Sequence, residues 1–464
     1  MNNFSLDSVD KSKPIFFIGI GGISMSALAV ILKNDGFSVC GSDFKESDMT
    51  ADLRRQGIDV SIGHSADNIG DVSLVVYTAA IQESNPELVK ARSMDIPVIE
   101  RAVLLGAIMK RYKNPIAVSG THGKTTTTSM LSHILLSANL DPTILVGGVL
   151  PIIGGNMRDG GNDYLVTEAC EYTGSFLKFH PLYSIILNIE EDHLDYFKDI
   201  NDIVKCFRKF AEITPKNGAV IANFDDNDVR KVTDGLACRV VSYGIDSADA
   251  DYTARNIRFT SNDFGTFDVF ANGVFFMNVA LRVPGLHNVS NALAVIAVAA
   301  LLGVDKASIQ KGFESFSGTN RRFERKGLCR GAKIIDDYAH HPTEIKTTLR
   351  AAREVAKGKE VWCVFQPHTY TRALKLKNEF AQSFGDCDHV IVADIYAARE
   401  KDTGLIHSRD LADAINSFSH NAMYMKEFSE IAQYLQEHIR EGDLVLTMGA
   451  GDVYKIGESM VKQN

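Results

Sequence analysis

The chain has 464 residues, of which 45% are hydrophobic and 23% are charged. This length predicts about three domains of ordinary size, and the composition is typical of a soluble globular protein and too apolar for a disordered one. Lys and Arg number 49 and Asp and Glu 58, which gives a net charge of −9. We therefore expect no general nucleic-acid or membrane partner, although a local basic pocket for phosphates is compatible with this charge.

The cysteines predict neither a disulfide framework nor a zinc site, because all 7 are scattered and none forms a C-x-x-C pair. Lys11 and Lys13 precede an apolar run and imitate a secretion signal, but the same stretch is better interpreted as a strand, a glycine turn and a helix. The longest apolar run, 292–302, has 11 residues, short of the roughly 20 that cross a bilayer. We expect a cytoplasmic protein.

The first region, residues 1–113, alternates short apolar runs with amphipathic stretches. Residues 15–20 are predicted to form a buried strand and residues 24–34 a helix. Strands that alternate with helices predict a parallel, doubly wound sheet. The polar stretch 110–115 contains a proline and precedes a new strand at 116–119, so we place the first domain boundary after residue 113.

The second region, residues 114–317, again begins with a strand, a glycine turn and a helix. Between residues 251 and 283 the hydrophobic period shifts towards two, which predicts antiparallel strands beside the parallel ones. A polar stretch at 317–322 marks the second boundary, and residues 318–464 carry further strands separated by helices. The sequence therefore predicts an α/β protein of three domains.

The strongest single motif is G-T-H-G-K-T, which begins at Gly120, follows a predicted strand and opens a helix. Glycines let backbone N–H groups face phosphate oxygens, Lys124 adds a positive charge, and the Thr125 hydroxyl can bind Mg²⁺. A general P-loop has its first glycine where this chain has Val118, so the match is to the core of the motif. A glycine-rich helix cap is the alternative interpretation. We expect a nucleoside triphosphate with Mg²⁺.

A second glycine loop, G-I-G-G-I-S from Gly19, also lies between a strand and a helix. Ser24 replaces the third glycine of G-x-G-x-x-G, and Asp43 follows near the spacing at which an acidic residue meets a ribose. A dinucleotide, the diphosphate of a UDP group, or close helix–sheet packing would each explain this loop.

Acidic residues and histidines follow several other predicted strands. Glu168, Glu171 and His193 follow strands of the central region, where carboxylates facing a P-loop suit Mg²⁺, whereas an isolated acidic cluster is commonly a solvated loop. In the third region D-D-Y-A-H-H-P lacks a further His or Cys nearby, so it predicts proton transfer or substrate orientation rather than zinc. Arg372, after another strand, is suited to bind a carboxylate or phosphate.

The ordered blocks of this chain together resemble the Mur ligase family over essentially the whole length. These blocks are GIGGISMS from Gly19, GTHGKTTT from Gly120, EACEYTGSF from Glu168, NIEEDHLD from Asn188, PGLHNVSNA from Pro284, GTNRRFE from Gly318, DDYAHHPTEI from Asp336, FQPHTYTR from Phe365 and GAGD from Gly449. The resemblance implies a Rossmann-like UDP-binding domain over 1–113, a central P-loop ATPase domain over 114–317 and a C-terminal Rossmann-like domain for the amino acid over 318–464.

The resemblance also implies an activity, namely ATP-dependent ligation of L-alanine to the carboxylate of UDP-N-acetylmuramate through an acyl phosphate, in peptidoglycan precursor synthesis by a monomer or weak homodimer. It implies catalytic roles for Lys124, His340 and Arg372, with His340 assisting loss of a proton from the L-alanine amine. It implies nucleotide contacts from Gly120, Thr121, His122, Gly123, Lys124, Thr125, Thr126, His287, Asn291, Arg322 and Asp337. It implies UDP-sugar contacts from Gly21, Gly22, Ser42 and Asp43, contacts near L-alanine from Tyr338, His340 and Arg372, and Mg²⁺ ligands in Thr125, Glu168 and His193.

Two positions depart from the family's usual form. The block at Glu168 is often E-A-D-E-S-D, whereas C-E-Y-T stands here at 170–173, so we assign Mg²⁺ to Glu168 rather than to Glu171. An arginine often follows the histidine of the QPH block, where this chain has Thr369, so we expect binding of the amino-acid carboxylate to rely on Arg372.

Three other functions stay open at this point. A murein-peptide recycling ligase would join a preformed peptide to the same sugar nucleotide, and DDYAHHPTEI favours L-alanine as acceptor without excluding a broader one. A nicotinamide-dependent oxidoreductase would explain the first glycine loop but not the P-loop. A non-catalytic nucleotide-binding regulator would explain the P-loop but not the histidines and the arginine of the third region.

Overall fold

The computed structural model describes residues 4–194, 196–260, 264–398 and 400–462. Its strands form three sheets of 5, 10 and 6 strands, each built from one continuous part of the chain. This arrangement confirms the predicted α/β class with three domains. The boundaries placed after residues 113 and 317 stay predictions.

The first domain holds a parallel sheet. Its elements are β1 (Ile15–Ile18), α1 (Ile23–Asn34), β2 (Val39–Asp43), α2 (Asp48–Arg55), β3 (Asp59–Ile62), β4 (Leu74–Tyr77), α3 (Pro86–Ser93), β5 (Val98–Glu100) and α4 (Arg101–Met109), with short 3₁₀ helices at Leu6–Ser8 and Ala66–Asn68. The strand order is β3-β2-β1-β4-β5. Ile15 and Phe17 pack into one apolar core and Phe16 and Ile18 into another, as expected for a strand covered on both faces. The first glycine loop follows β1, where the strand order reverses and open sheets bind ligands.

The central domain holds the mixed sheet. Its elements are β6 (Asn114–Ser119), α5 (Lys124–Ser137), β7 (Thr143–Leu150), β8 (Gly155–Arg158), β9 (Tyr164–Ala169), β10 (Tyr183–Ile186), α6 (Ile200–Ile213), β11 (Ala219–Asn223), α7 (Asn227–Thr233), β12 (Arg239–Gly244), β13 (Tyr252–Phe259), β14 (Phe264–Ala271), β15 (Val274–Pro284), α8 (Leu286–Leu301) and α9 (Lys306–Ser315), with 3₁₀ helices at Pro151–Ile153 and Tyr172–Lys178. The order is β15-β14-β13-β12-β11-β10-β6-β9-β7-β8.

The antiparallel strands predicted between residues 251 and 283 are confirmed as β13, β14 and β15. Asn272 and Gly273, with φ of +48° and +76°, join β14 to β15, because a two-residue hairpin of this hand needs positive φ at both positions. The parallel strands β10 and β9 flank β6. Their carboxyl ends therefore lie together at the edge from which the P-loop departs.

The C-terminal domain holds the third sheet. Its elements are β16 (Glu324–Cys329), β17 (Ala332–Asp337), α10 (Pro342–Ala356), β18 (Val361–Phe365), α11 (Tyr370–Lys375), α12 (Lys377–Ala381), β19 (His389–Val392), α13 (Ser408–Asn416), β20 (Ala422–Tyr424), α14 (Phe428–His438), β21 (Leu444–Met448) and α15 (Tyr454–Lys462). The order is β16-β17-β21-β18-β19-β20, parallel except for the β16–β17 hairpin. β17 and β18 both flank β21, so the two histidine motifs that follow them lie at one edge.

The cysteines and the helices bear on two further expectations. All seven cysteines are free, as the sequence predicts. Among the helices of the described ranges, none combines the length and the apolar character that crossing a membrane requires.

Candidate active site

The loop between β6 and α5 wraps around the Lys124 side chain. Gly120 and Gly123 have φ of +142° and +83°, a region that side chains with a Cβ rarely adopt. Lys124 Nζ donates to the carbonyl oxygens of Gly120 and Thr121 and to Glu171 Oε2, the last at 3.3 Å. The ammonium group is thus held at the N-terminus of α5, the position where helix ends bind phosphate.

Asn188, just after β10, braces this loop. Its Oδ1 accepts from the His122 N–H at 2.8 Å, and its Nδ2 donates to the His122 carbonyl at 3.2 Å. The Thr121 N–H donates to the Asn188 carbonyl at 3.1 Å, and the Thr121 hydroxyl accepts from the Glu190 N–H at 2.9 Å. The residues after β10 therefore fix the phosphate loop through several hydrogen bonds.

Two carboxylates lie beside Lys124. Glu171 Oε1 is buried, has no hydrogen-bond partner within the described chain and lies 4.0 Å from His193 Nε2. Glu168 Oε1 accepts from the Gly147 N–H at 2.6 Å. Burial alone would lower the pKa of Lys124, but Glu171 foremost, with Glu168, outweighs burial and raises it. Lys124 is therefore charged at neutral pH.

The donor set beside Lys124 fits Mg²⁺. A Cβ at Gly147 would lie 3.0 Å from Glu168 Oε1, and one at Gly148 would lie 3.5 Å from Thr125 Cγ2, so Glu168 and Thr125 both approach the backbone of β7 at adjacent glycines. Carboxylate and hydroxyl oxygens are the ligands that Mg²⁺ prefers, and an orphaned buried carboxylate oxygen such as that of Glu171 needs a partner. From the sequence we prefer Glu168 to Glu171 as the ligand, and the buried, unpartnered oxygen makes Glu171 a candidate as well.

A cavity of about 240 Å³ joins the P-loop, the start of α8 and the C-terminal domain. It is lined by most of the residues predicted to contact the nucleotide: His122, Gly123, Thr126, His287, Asn291, Arg322 and Asp337. A neighbouring cavity of about 650 Å³ shares His287 and Asn291 and extends to Asn223 and Arg350. The structure thus brings the predicted nucleotide residues of two domains to one cleft.

Within this cleft Asp337 is largely engaged by its own domain. Its carboxylate accepts from the N–H groups of Phe323 at 2.7 Å and Ala339 at 2.8 Å. Burial raises its pKa to about 6, although Arg322 opposes this shift. The Arg322 guanidinium lies 5.1 Å from the centre of the Tyr338 ring, which orients it along the wall of the cavity.

His340 is held with one ring nitrogen free to accept a proton. Its Nδ1 lies 3.0 Å from the Tyr338 carbonyl oxygen and 3.3 Å from Glu344 Oε2. Because a carbonyl can only accept, Nδ1 carries the proton and Nε2 is the acceptor. Burial lowers the pKa of His340 to about 4, so the ring is uncharged at neutral pH.

Arg372 connects the C-terminal domain to the acidic loop after β10. Its Nη2 and Nε lie 2.8 and 3.2 Å from Asp192 Oδ1, and its Nη1 lies 2.9 Å from His368 Nδ1. Burial opposes ionisation of Asp192, but Arg372 dominates and lowers its pKa. These residues and His193 line a cavity of about 80 Å³. Any anion that entered this cavity would share the Arg372 guanidinium with Asp192.

In the first domain the predicted UDP residues cluster at the glycine loop. The Gly21 N–H donates to Asp43 Oδ2 at 2.8 Å, and a Cβ at Gly21 would lie 2.9 Å from that oxygen. Gly22 precedes the first turn of α1 and offers no side chain to cap it. The N–H groups of this turn are therefore available to a phosphate.

Ser42 belongs to a buried network that the sequence did not reveal. Its hydroxyl donates to Glu87 Oε2 at 2.7 Å, and His64 Nδ1 lies 2.7 Å from the same oxygen. Asn68 Nδ2 donates to the other Glu87 oxygen at 2.6 Å. Ser42 and Glu87 are fully buried, so the Ser42 side chain holds the end of β2 in place, beside Asp43.

Comparisons with known proteins cover all three domains. The family model described as "Mur ligase family, catalytic domain" matches residues 14–113, the "Mur ligase middle domain" matches 118–299, and the "Mur ligase, glutamate ligase domain" matches 321–451. These three matches correspond in order to the three sheets.

Full-length relatives agree with these matches. The chain is 53% identical over 462 residues to the UDP-N-acetylmuramate–L-alanine ligase of Acetivibrio thermocellus, covering 100% of this chain and 98% of that protein. It is 52% identical over 454 residues to the enzyme of the same name from Clostridium acetobutylicum, covering 98% of each.

Solved structures give the same result. The UDP-N-acetylmuramate-alanine ligase of Thermotoga maritima matches with a TM-score of 0.81 at 33% identity over 97% of this chain and 99% of that one. A murein peptide ligase from Psychrobacter arcticus matches with a TM-score of 0.72 at 24% identity over 97% and 98% of the two chains, which shows the shared fold alone. The chain belongs to the Mur ligase family.

Proposed function

We propose that this chain ligates L-alanine to the carboxylate of UDP-N-acetylmuramate at the expense of ATP, in the synthesis of a peptidoglycan precursor. One structural observation supports the proposal independently of the relatives. The edge of the central sheet that carries the P-loop and the edge of the third sheet that carries the two histidine motifs meet in one cleft. Glu190, which is bonded to the P-loop, accepts from the Thr343 hydroxyl at 2.6 Å. Phosphate chemistry and amino-acid binding can therefore occur at one place.

The chemical obstacle is that a carboxylate oxygen is a poor leaving group for an amine to displace. ATP supplies the phosphoryl group that converts the carboxylate into an acyl phosphate, from which the amine of L-alanine displaces phosphate. Lys124 neutralises charge that develops on the phosphate oxygens, and its partner Glu171 keeps it charged and oriented. Thr125, Glu168 and His193 would hold Mg²⁺, with Glu171 as a further ligand. The ion would help to neutralise the negative charge on the phosphate oxygens.

The amine of L-alanine must lose a proton before it attacks. His340 Nε2 is the free acceptor on the uncharged ring, so we assign it to this step. Because the pKa of the ring is low, the protonated ring is a strong enough acid to transfer the proton to the phosphate that the amine displaces. Arg372, with Thr369 in place of a second arginine, is assigned to the amino-acid carboxylate.

Contacts between the central and C-terminal domains limit access of water to this cleft. His122 Nδ1 lies 3.0 Å from Glu344 Oε1, and His341 Nε2 donates to the Glu191 carbonyl at 2.9 Å. A closed cleft protects an acyl phosphate from hydrolysis.

The second candidate is a recycling ligase that accepts a preformed peptide. The cavity beside Arg372, of about 80 Å³, is small, so a tripeptide would have to extend beyond it. The oxidoreductase and the non-catalytic regulator have no comparable support, since neither uses the histidines and the arginine that meet the P-loop.

The deciding experiment is release of phosphate from ATP and Mg²⁺ with UDP-N-acetylmuramate, with and without L-alanine. We expect release that requires both substrates, a matching amide product, and its loss in Lys124→Ala. Lys113→Ala, at an exposed salt bridge with Asp163, is the matched control. Turnover with a tripeptide but not with L-alanine would replace the proposal with the recycling activity, and turnover with neither in folded protein would overturn both.

A further inference from the structure

A cavity of about 140 Å³ lies between the first and central domains. Ser24, in the first turn of α1, and Arg101, the first residue of α4, line it from one side. Gly147, Glu168 and Cys170 line it from the other. It therefore lies between the glycine loop assigned to the UDP group and the residues around Lys124.

Arg101 is the only basic residue that lines this cavity, and its guanidinium has no hydrogen bond or ion pair with any residue in the described part of the chain. It also occupies the N-terminus of a helix, where the backbone dipole disfavours a cation. Burial lowers its pKa, and attraction from Cys170 and Glu100 only partly offsets that effect. A largely buried cation without a partner is costly, which points to an anionic ligand.

The neighbouring side chains do not neutralise Arg101. Glu168 is the one acidic residue in the lining, but its Oε1 accepts from the Gly147 N–H at 2.6 Å, and no Arg101–Glu168 contact within 4.0 Å occurs in the described chain. A cysteine thiol is predominantly uncharged at neutral pH, so Cys170 supplies no anion either. The anion must come from outside the chain.

The position of the cavity narrows the choice of anion. Cys170 lines the cavity together with Arg101, and it interacts electrostatically with Lys124 as well, so the cavity adjoins one cation from each of the two domains. A carboxylate that is to receive a phosphoryl group beside Lys124 has to lie there. The diphosphate, in contrast, is assigned to the glycine loop and to the N–H groups in the first turn of α1.

We propose that Arg101 binds the lactyl carboxylate of the UDP-sugar and thereby selects sugars that carry this acidic group. The inference rests on the proposed function, because it concerns the acceptor of that reaction. Arg101 is then the binding residue that holds the carboxylate for activation, and Ser24 contributes a hydroxyl at the same cavity.

The test is calorimetric titration of the full chain, without ATP, with UDP-N-acetylmuramate and with UDP-N-acetylglucosamine, which lacks the lactyl carboxylate. We expect Arg101→Met to weaken binding of the first ligand at least about tenfold, as for a lost hydrogen bond to a charged group, and binding of the second less than twofold. Arg101→Lys should lie between Arg101→Met and the unmodified chain. Arg55→Met, on an exposed helix of the same domain, is the control.

Each other outcome has a definite meaning. If Arg101→Met weakened binding of both ligands equally, Arg101 would be assigned to the diphosphate. If it weakened binding of neither ligand, Arg101 would not belong to the site. Both results would overturn the proposal. If the unmodified chain bound UDP-N-acetylglucosamine but not UDP-N-acetylmuramate, the proposed function itself would fail, and this inference with it.

A second pair of variants keeps the test valid if Arg101→Met does not fold. Cys170→Asp places a carboxylate beside Arg101 that should compete with the lactyl group and weaken binding of UDP-N-acetylmuramate several-fold relative to Cys170→Ser, which keeps the position uncharged. Cys170→Asp that binds as tightly as Cys170→Ser would contradict the proposal.

Discussion

Arg372 and Asp192 form an ion pair between two domains, and each side chain is only 10% exposed. Two guanidinium nitrogens contact the same carboxylate oxygen, at 2.8 and 3.2 Å. Removing one partner of a buried pair leaves an uncompensated charge and costs about 3–5 kcal/mol. The pair therefore fixes how the C-terminal domain meets the central one.

We expect Asp192→Asn to lower kcat for ligation at least tenfold, because the contact that closes the cleft is weakened. Binding of UDP-N-acetylmuramate, assigned to another domain, should not change. Steady-state kinetics and a separate binding titration measure the two effects, with Asp413→Asn, at an exposed position of α13, as control. An unchanged kcat would show that the pair has no part in closure.

The two carboxylates beside Lys124 should differ in their response to metal. We expect Glu168→Gln to raise the Mg²⁺ concentration for half-maximal turnover at least tenfold, because it removes a predicted ligand. Glu171→Gln should also raise KM for ATP, since it removes the partner of Lys124 Nζ at 3.3 Å. Titration with Mg²⁺ at a fixed ATP concentration separates the effect on metal binding from the effect on KM for ATP. A normal Mg²⁺ response in Glu168→Gln, with a shifted one in Glu171→Gln, would remove Glu168 from the proposed ligands and leave Glu171 among them.

His122 should make the folded protein less stable at alkaline pH. Burial would lower its pKa, but Glu344 and Glu190 outweigh burial and raise it to about 9, above the usual value of about 6.5. The folded state thus binds more protons than the unfolded state between these values, and stability falls as pH rises through about 9. Thermal unfolding from pH 6.5 to 9.5 should show this decline, and His122→Gln should flatten it.

The control for His122 is His420→Gln, at an exposed position, which should keep the alkaline decline. An equal decline in His122→Gln would mean that another group causes it.

His340 should not produce an acid limb near pH 6.5 in the rate profile. Burial lowers its pKa to about 4, so the ring is already uncharged throughout the neutral range. We expect His340→Ala to reduce kcat at least tenfold at every pH between 6 and 9, with the shape of the profile unchanged. Unchanged turnover would remove His340 from the reaction. Loss of a limb near pH 6.5 in the variant would show that the ring titrates there instead.

Local patterns predicted the strands and helices that carry the site. The helix predicted at 24–34 is observed at Ile23–Asn34, and the strand predicted at 116–119 is observed at Asn114–Ser119, because the hydrophobic period that indicates them is a local property of the sequence. The strand predicted at 15–20 ends at Ile18 instead, since Gly19 turns the chain with φ of +80°. Apolar residues alone do not reveal such a turn.

The contacts of the site depended on information that local patterns do not contain. Arg372 and Asp192 are 180 positions apart, and Ser42 and Glu87 are 45 apart. The motifs predicted that Arg372 and Ser42 bind ligands, but they did not predict that both side chains already bond to carboxylates of the protein. Glu171 was set aside and Arg101 was not singled out for the same reason, because the role of each depends on which residues its side chain contacts.

The stretch from Asn188 to Asp192 both braces the P-loop and carries the contacts to the C-terminal domain. Asn188 bonds to His122, while Glu190 and Asp192 bond to Thr343 and Arg372. A small molecule that displaced Asp192 from Arg372 would therefore also disturb the phosphate loop, because only a few main-chain residues separate the two contacts. Such an inhibitor would act by separating two domains, and its inhibition would not be competitive with ATP.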